Sequence, residues 1–334
     1  MSLATHAEGK MARGPGGVTS AMETKETTIG VPQPFSLRAA ALSHGWHECA
    51  PIMWCDAGRC LQLVTRDGVD VFRVSVLEGR RTRRRVSLRV IIDGPALNEA
   101  RIERFTCQVR TMLKLDQDLD EFYTICRSHP TLYVLERIGA GRTIRSASMT
   151  ENIIKMICGT NVNWNQAVKM INRIAQIGPI FPHYRNLNAW PAPREILAAG
   201  ETYLIEVARV GYRAKSILKL CQDSCDGTFD PDALDKHAKT ESSDRLLKRL
   251  LAIDGVGPAS AHALLSMLGH YDHLSIDSST VAHVSRVHTS GKKPTKHQIE
   301  AIYEPYGRWK NLVWWFELWL EWDTAKAMAA EAGL

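Results

Sequence analysis

No apolar run in this sequence approaches the roughly 20 residues a helix needs to cross a bilayer, so no membrane-spanning helix is expected. Cysteine is sparse and dispersed, at positions 49, 55, 60, 107, 126, 158, 221 and 225. That spread suits reduced thiols inside a cell better than a disulfide framework. Excess charge is also modest. A formal net charge of +6 is mild for a nucleic-acid binder, so any such role must rest on local patches. No internal period suggests a solenoid, and no low-complexity segment follows the N-terminal tail. What is there is length: 334 residues can bury a substantial core, divided into two or three domains.

Taken in order, the chain opens with a stretch rich in Gly, Ser, Thr and Ala that lacks a signal-peptide core, and residues 1–32 read as a disordered tail. Glu8, Glu23 and Glu26 argue against a transit peptide. Residues 33–97 read as an antiparallel sheet domain of about four strands, since LQLVTRDGVDVFRVSVLEGRRTRRRVSLRVIIDG alternates apolar and polar residues between turn signals. Arg80, Arg81, Arg83, Arg84 and Arg85 read as a solvated hairpin tip rather than a phosphate contact. His44, His47, Cys49, Cys55 and Cys60 match no zinc-ligand spacing, and no metal is expected there. From residue 98 to 334 the pattern is helical, with about ten helices and GAGRTIRSAS (139–148) as a linker. The fold class is therefore mainly α with an N-terminal α+β domain.

The most informative stretch is LLAIDGVGPASAHALLSMLGHYDHLSIDSST, residues 250–280. Leucines at helical spacing flank Gly255 and Gly257, and Pro258 suits the first turn of a helix, so residues 244–268 read as a helical hairpin. Such a turn leaves unpaired N–H groups at a helix N-terminus, where an anion can sit. No Lys-Ser/Thr pair follows the glycines and no strand pattern precedes them, so a DNA phosphate fits better than a nucleotide P-loop. Asp277 then opens another helix. It is a suitable N-cap on any reading, yet a cap serving one helix need not follow a phosphate-type hairpin, so the pair is singled out together.

GVGPASA followed by IDSS resembles the helix–hairpin–helix (HhH-GPD) DNA glycosylases, specifically the 3-methyladenine II and 8-oxoguanine branches. FSLRAAALSHGW, TNVNWNQAVKMINRIAQ, GYRA at 211–214 and PYGRWKNLVWWF extend the resemblance over roughly residues 34–325. It implies a two-lobed helical core that flips a damaged purine out of duplex DNA and breaks its N-glycosidic bond, with Asp277 catalytic. It further implies phosphate contacts at Gly255, Val256, Gly257, Ala259 and Ser279. Asn161 would fill the gap left by the flipped base and Tyr212 would wedge into the partner strand, with Arg213 also binding DNA and, with Lys215, making these surroundings basic. The base pocket would be formed by Trp315 and Asn311, with Gly45 and Trp46, while Trp319 and Trp322 read as a core stripe.

The sequence departs from that pattern where bifunctional members carry a lysine, two residues after the second hairpin glycine. Ala259 stands there, and Lys248 lies a helix length earlier, so a monofunctional enzyme is expected. Asp254 replaces the proline common before GVG. No cysteine follows Cys225, so no iron–sulfur cluster is expected; the resemblance allows a monovalent cation at the hairpin carbonyls and implies no other cofactor. The expected partner is double-stranded DNA bearing a damaged base, bound by a monomer inside the cell: in the nucleus of a eukaryote, or the cytoplasm or nucleoid of a bacterium. The lesion, an alkylated purine or 8-oxoguanine, stays open. So do a non-catalytic DNA-binding module and an 8-oxoguanine-type enzyme with lyase activity.

Overall fold

The computed structural model describes residues 21–182 and 187–334; the part of the expected tail at 1–20 lies outside them. The strands are β1 (Met22–Pro32), β2 (Ile52–Cys55), β3 (Cys60–Asp67), β4 (Asp70–Arg81) and β5 (Arg85–Pro95). They form one five-stranded sheet in the order β1-β5-β4-β3-β2, with each neighbouring pair antiparallel. The reading of residues 22–32 as tail is corrected here. METKETTIGVP pairs with β5 along its whole length, from Met22 opposite Pro95 to Pro32 opposite Arg85. Only Ile29 and Val31 of this edge strand are buried, so it carries too little apolar alternation to be read as a strand.

The helices are α1 (Leu37–Ala41), α2 (Glu99–Met112), α3 (Asp120–Ser128), α4 (Val134–Ile138), α5 (Met149–Cys158), α6 (Trp164–Ala175), α7 (Pro193–Thr202) and α8 (Arg213–Cys225). They continue with α9 (Ala233–His237), α10 (Ser243–Leu251), α11 (Pro258–Met267), α12 (Ser278–Val287), α13 (Lys296–Tyr303), α14 (Lys310–Trp319) and α15 (Asp323–Glu331). Local chemistry sets many of their starts: Asn98, Ser148, Asn163, Asp277 and Thr295 each accept a first-turn amide hydrogen bond.

Two apolar cores organise the molecule. The first joins Val74, Val90 and Ile92 of the sheet to Ile153, Leu250 and Leu264 of the helices, so the sheet shares its main core with them, and a small separate cluster gathers Val64, Phe181 and Ala189. The second gathers Phe122, Leu132, Val284, Leu312 and Trp319. α1 reaches both, with Leu37 in the first and Ala39 in the second. Residues 140–146, read as linker, are buried. Their arginines compensate for burial: Arg142 donates to the Lys114 and Gln117 carbonyls, and Arg145 pairs with Asp235 at 2.6 Å. The arginine-rich turn between β4 and β5 is exposed, as a hairpin tip should be.

Candidate functional site

A cleft of about 1460 Å³ is lined by the turn after α1, the α5–α6 loop, the helical hairpin, the start of α12 and one side of α14. It brings together Gly45, Trp46, Asn161, Tyr212, Gly255, Gly257, Ala259, Ser279, Asp277, Asn311 and Trp315, residues drawn from across the sequence. A second cavity of about 560 Å³, beside Gln117, Tyr271 and Trp309, holds none of them.

The hairpin between α10 and α11 turns at Gly255, whose φ of +80° lies in the left-handed region. A Cβ there would sit 2.8 Å from that of Ser216 on α8. Gly257 has ordinary extended angles (φ −84°, ψ 174°), contrary to the need read from sequence; a Cβ there would meet nothing within 4 Å, so its use is open space. Among the described residues, the amides of Gly255, Gly257, Ala259 and Ser260 have no hydrogen-bond acceptor. They cluster at the positive end of α11, where an anion is favoured. Val256 is a correction: its amide donates to the Ile253 carbonyl at 3.1 Å and its side chain is buried in the core, so it offers no phosphate contact.

Asp277 is exposed at the start of α12. Its Oδ1 accepts the Thr280 amide at 2.9 Å, and its own amide donates to Thr280 Oγ1 at 3.2 Å, a reciprocal cap. Oδ2 has no hydrogen-bond partner among the described residues. The loop before it is held from two sides. Ser275 Oγ donates to the Ala259 carbonyl at 3.0 Å, and Ser275 N donates to Asn311 Oδ1 at 2.8 Å. The carboxylate is thus fixed relative to both the hairpin and α14. This use of Asn311 revises its expected role, since the amide oxygen is committed to the Asp277 loop and only the NH₂ group is free.

Asn161, with φ +52°, donates from Nδ2 to the Tyr212 hydroxyl at 3.2 Å. Tyr212 is 66% exposed, which suits a side chain that inserts into a partner rather than one that packs in a core. Arg213 is the second correction. It is buried, its guanidinium donates to Thr160 Oγ1 (3.2 Å), the Val210 carbonyl (3.1 Å) and the Thr160 carbonyl, and it stacks on the Tyr212 ring. It ties the two tips together and is turned inward to Thr160 and Val210 instead of out to solvent.

Aromatic rings line the remaining wall. Trp46, Trp164, Trp314, Trp315 and Trp322 all border the cleft. Trp46 is fully buried, bonded through Nε1 to Asn152 at 2.8 Å and stacked on Trp164 at 5.8 Å. A Cβ at Gly45 would lie 2.4 Å from the Trp164 ring, so that side of Gly45 is covered by tryptophan instead of being open to a base. Trp315 stacks on His44 at 4.9 Å and donates to the Ser43 carbonyl. Trp319 is core, as the helical spacing implied, whereas Trp322 packs edge-on against Trp315 at 6.0 Å and reaches the cleft.

Sequence reading missed several lining residues, among them His44, Trp164 and Lys155. His44, considered only as a metal ligand, is a cleft residue whose buried Nδ1 has no partner and whose pKa burial pushes down to about 3. Trp164 was hidden by its contact with a glycine more than a hundred positions away. Lys155, in the apolar stretch NIIKMIC, is buried and pairs with Glu151 at 2.7 Å; a lysine in such a run was the available signal.

No family model matches the chain, and no curated protein does. Solved structures do resemble it. MBOgg1 in complex with a low-affinity DNA ligand has TM-score 0.66 and 20% identity, covering 95% of this chain and 100% of that one. The 3-methyladenine DNA-glycosylase from Archaeoglobus fulgidus has TM-score 0.69 and 18% identity, covering 88% and 98%. The 8-oxoguanine glycosylase/lyase from Clostridium acetobutylicum, bound to duplex DNA with cytosine opposite 8-oxoG, has TM-score 0.64 and 17% identity, covering 90% and 96%. The architecture, an antiparallel sheet followed by helices, is that of these DNA glycosylases.

Proposed function

We propose that this protein is a DNA glycosylase that extrudes a damaged purine from duplex DNA and hydrolyses its N-glycosidic bond, leaving an intact abasic site. The observation that carries the reading is the sharing of one tryptophan-lined cleft by the unpaired hairpin amides and the Asp277 carboxylate. The free amides of Gly255, Gly257 and Ala259 grip the backbone beside the lesion without reading sequence. Unpairing and unstacking a base costs a few kcal/mol, and the bonded pair of Asn161 and Tyr212 fills the space it leaves. As the bond to the base lengthens, positive charge grows on the sugar. Asp277 Oδ2, the uncommitted oxygen, stabilises that charge or orients the attacking water. The Gly255 and Val256 carbonyls accept no hydrogen bond from the described residues, which leaves them available to a monovalent cation.

Aromatic walls bind electron-poor, cationic rings best, so alkylated purines are the preferred substrates. The tryptophan over Gly45 argues against backbone recognition of 8-oxoguanine at that point. Ala259 carries no amine to attack the sugar, which favours hydrolysis alone. The test is a panel of duplexes, each with 3-methyladenine, 7-methylguanine or 8-oxoguanine. The expected result is release of the methylated bases, with strand breakage only after alkali. Release of no base from any duplex, with binding intact, would leave a DNA-binding module instead.

A further inference from the structure

A second chemical centre lies along α12, and it does not depend on the glycosylase reading. His283 on α12, His288 at its C-terminal cap and Glu317 on α14 bring two imidazole nitrogens and a carboxylate oxygen within 4.8 Å of one another. Both imidazoles point Nε2 at the same oxygen, Glu317 Oε2, from 3.5 Å and 3.2 Å. Charge-assisted hydrogen bonds between such groups are shorter, about 2.7–2.9 Å. Donor atoms around a tetrahedral zinc ion, with bonds of about 2.0–2.1 Å, stand about 3.3 Å apart. The two nitrogen–oxygen spacings match those of ligands sharing an ion.

The surroundings orient each donor. His283 Nδ1 lies 2.9 Å from Glu321 Oε1; donating there leaves Nε2 with a lone pair turned towards Oε2. Two lone pairs facing each other are reconciled by a cation between them, a shared proton or a metal ion. His129 serves a different purpose: its Nδ1 accepts the Thr131 and Leu132 amides, so its Nε2–H donates to Glu317 Oε1 at 3.2 Å. The Tyr303 hydroxyl donates to Oε2 at 2.6 Å. Carboxylate on histidine, and neutral donors on carboxylate, are the outer contacts that orient metal ligands. His283 and Glu317 are buried, while the His288 side chain is 25% exposed, which gives an ion an entry route and room for a water.

We propose that His283, His288 and Glu317 bind a divalent transition ion of the zinc type, with water as fourth ligand, joining α12 to α14. Such an ion would brace the helix that begins at Asp277 without touching the reaction. The test uses full-length, untagged protein stripped with a chelator and titrated with Zn²⁺ against a chromophoric competitor, then with Co²⁺. The expected result is uptake of one equivalent of zinc, a visible tetrahedral Co²⁺ band, and a rise in Tm on adding zinc. His288→Asn alters the exposed edge, so the fold should survive, and circular dichroism checks that it does. It should weaken zinc binding by more than about tenfold, and Glu321→Gln by about tenfold through the outer contact. No uptake by the wild-type protein would overturn the proposal, as would uptake unchanged in folded His288→Asn. Either result would assign the cluster to a proton-bearing hydrogen-bond network.

Discussion

At the scale of single residues, His44 makes the most distinctive physical claim. Burial, and lesser repulsion from His47, Lys114 and Lys155, lower its pKa from 6.5 to about 3, so the imidazole facing the cleft is neutral at physiological pH. In the unfolded chain it takes up a proton below about 6.5, whereas the folded protein does not until about 3. The unfolded state therefore binds more protons across that interval, and stability falls as pH drops from about 6.5 towards 3. Above that interval the residue adds no pH dependence. His44→Phe keeps a stacking ring beside Trp315 and removes this contribution. Its urea midpoint should fall less than the wild type's between pH 7 and pH 5. Equal falls would mean His44 takes up its proton as readily in the folded protein as in the unfolded one. Gly255 gives a second residue-scale outcome. Alanine there meets a positive φ and the Ser216 side chain, so Gly255→Ala should lose on the order of 1–2 kcal/mol in denaturant unfolding. Gly257→Ala, with open space and ordinary angles, should lose little stability but weaken DNA binding.

At the scale of elements, the two tips carrying Asn161 and Tyr212 act as one unit because Arg213 binds Thr160 from beneath them. A phosphate contact and an internal strut give different signatures on mutation. Removing a phosphate contact lowers the slope of log affinity against log salt by about one. Arg213→Ala should leave that slope unchanged while lowering stability by about 2–4 kcal/mol, because buried carbonyls lose a charged donor. Here the sequence was legible only in part. The hairpin and the cap at Asp277 depend on local chemistry, glycine angles and first-turn amides, and both were readable. Whether Arg213 faces solvent or Thr160, and whether Gly45 faces a base or Trp164, depends on partners distant in the chain. β1 escaped for another reason: an edge strand held by backbone pairing needs few apolar residues.

For the molecule as a whole, the sheet and the first helical core form one packed body, and the cleft is walled by segments from the first core and the second. Among the described residues Lys155 is the lysine that borders this cleft, and it is committed to Glu151 and to Ser146 Oγ at 3.1 Å. Borohydride added during turnover should therefore trap no covalent protein–DNA adduct. An adduct lost in Lys155→Met would reassign that lysine as a nucleophile and refute the hydrolysis-only mechanism. The most direct measurement compares single-turnover release of 3-methyladenine from duplex DNA by the wild-type protein and by Asp277→Asn. Asparagine still caps α12, so folding and DNA affinity should match the wild type. Release should slow by at least about 100-fold. Equal rates in the two proteins would show that Asp277 is a helix cap and nothing more.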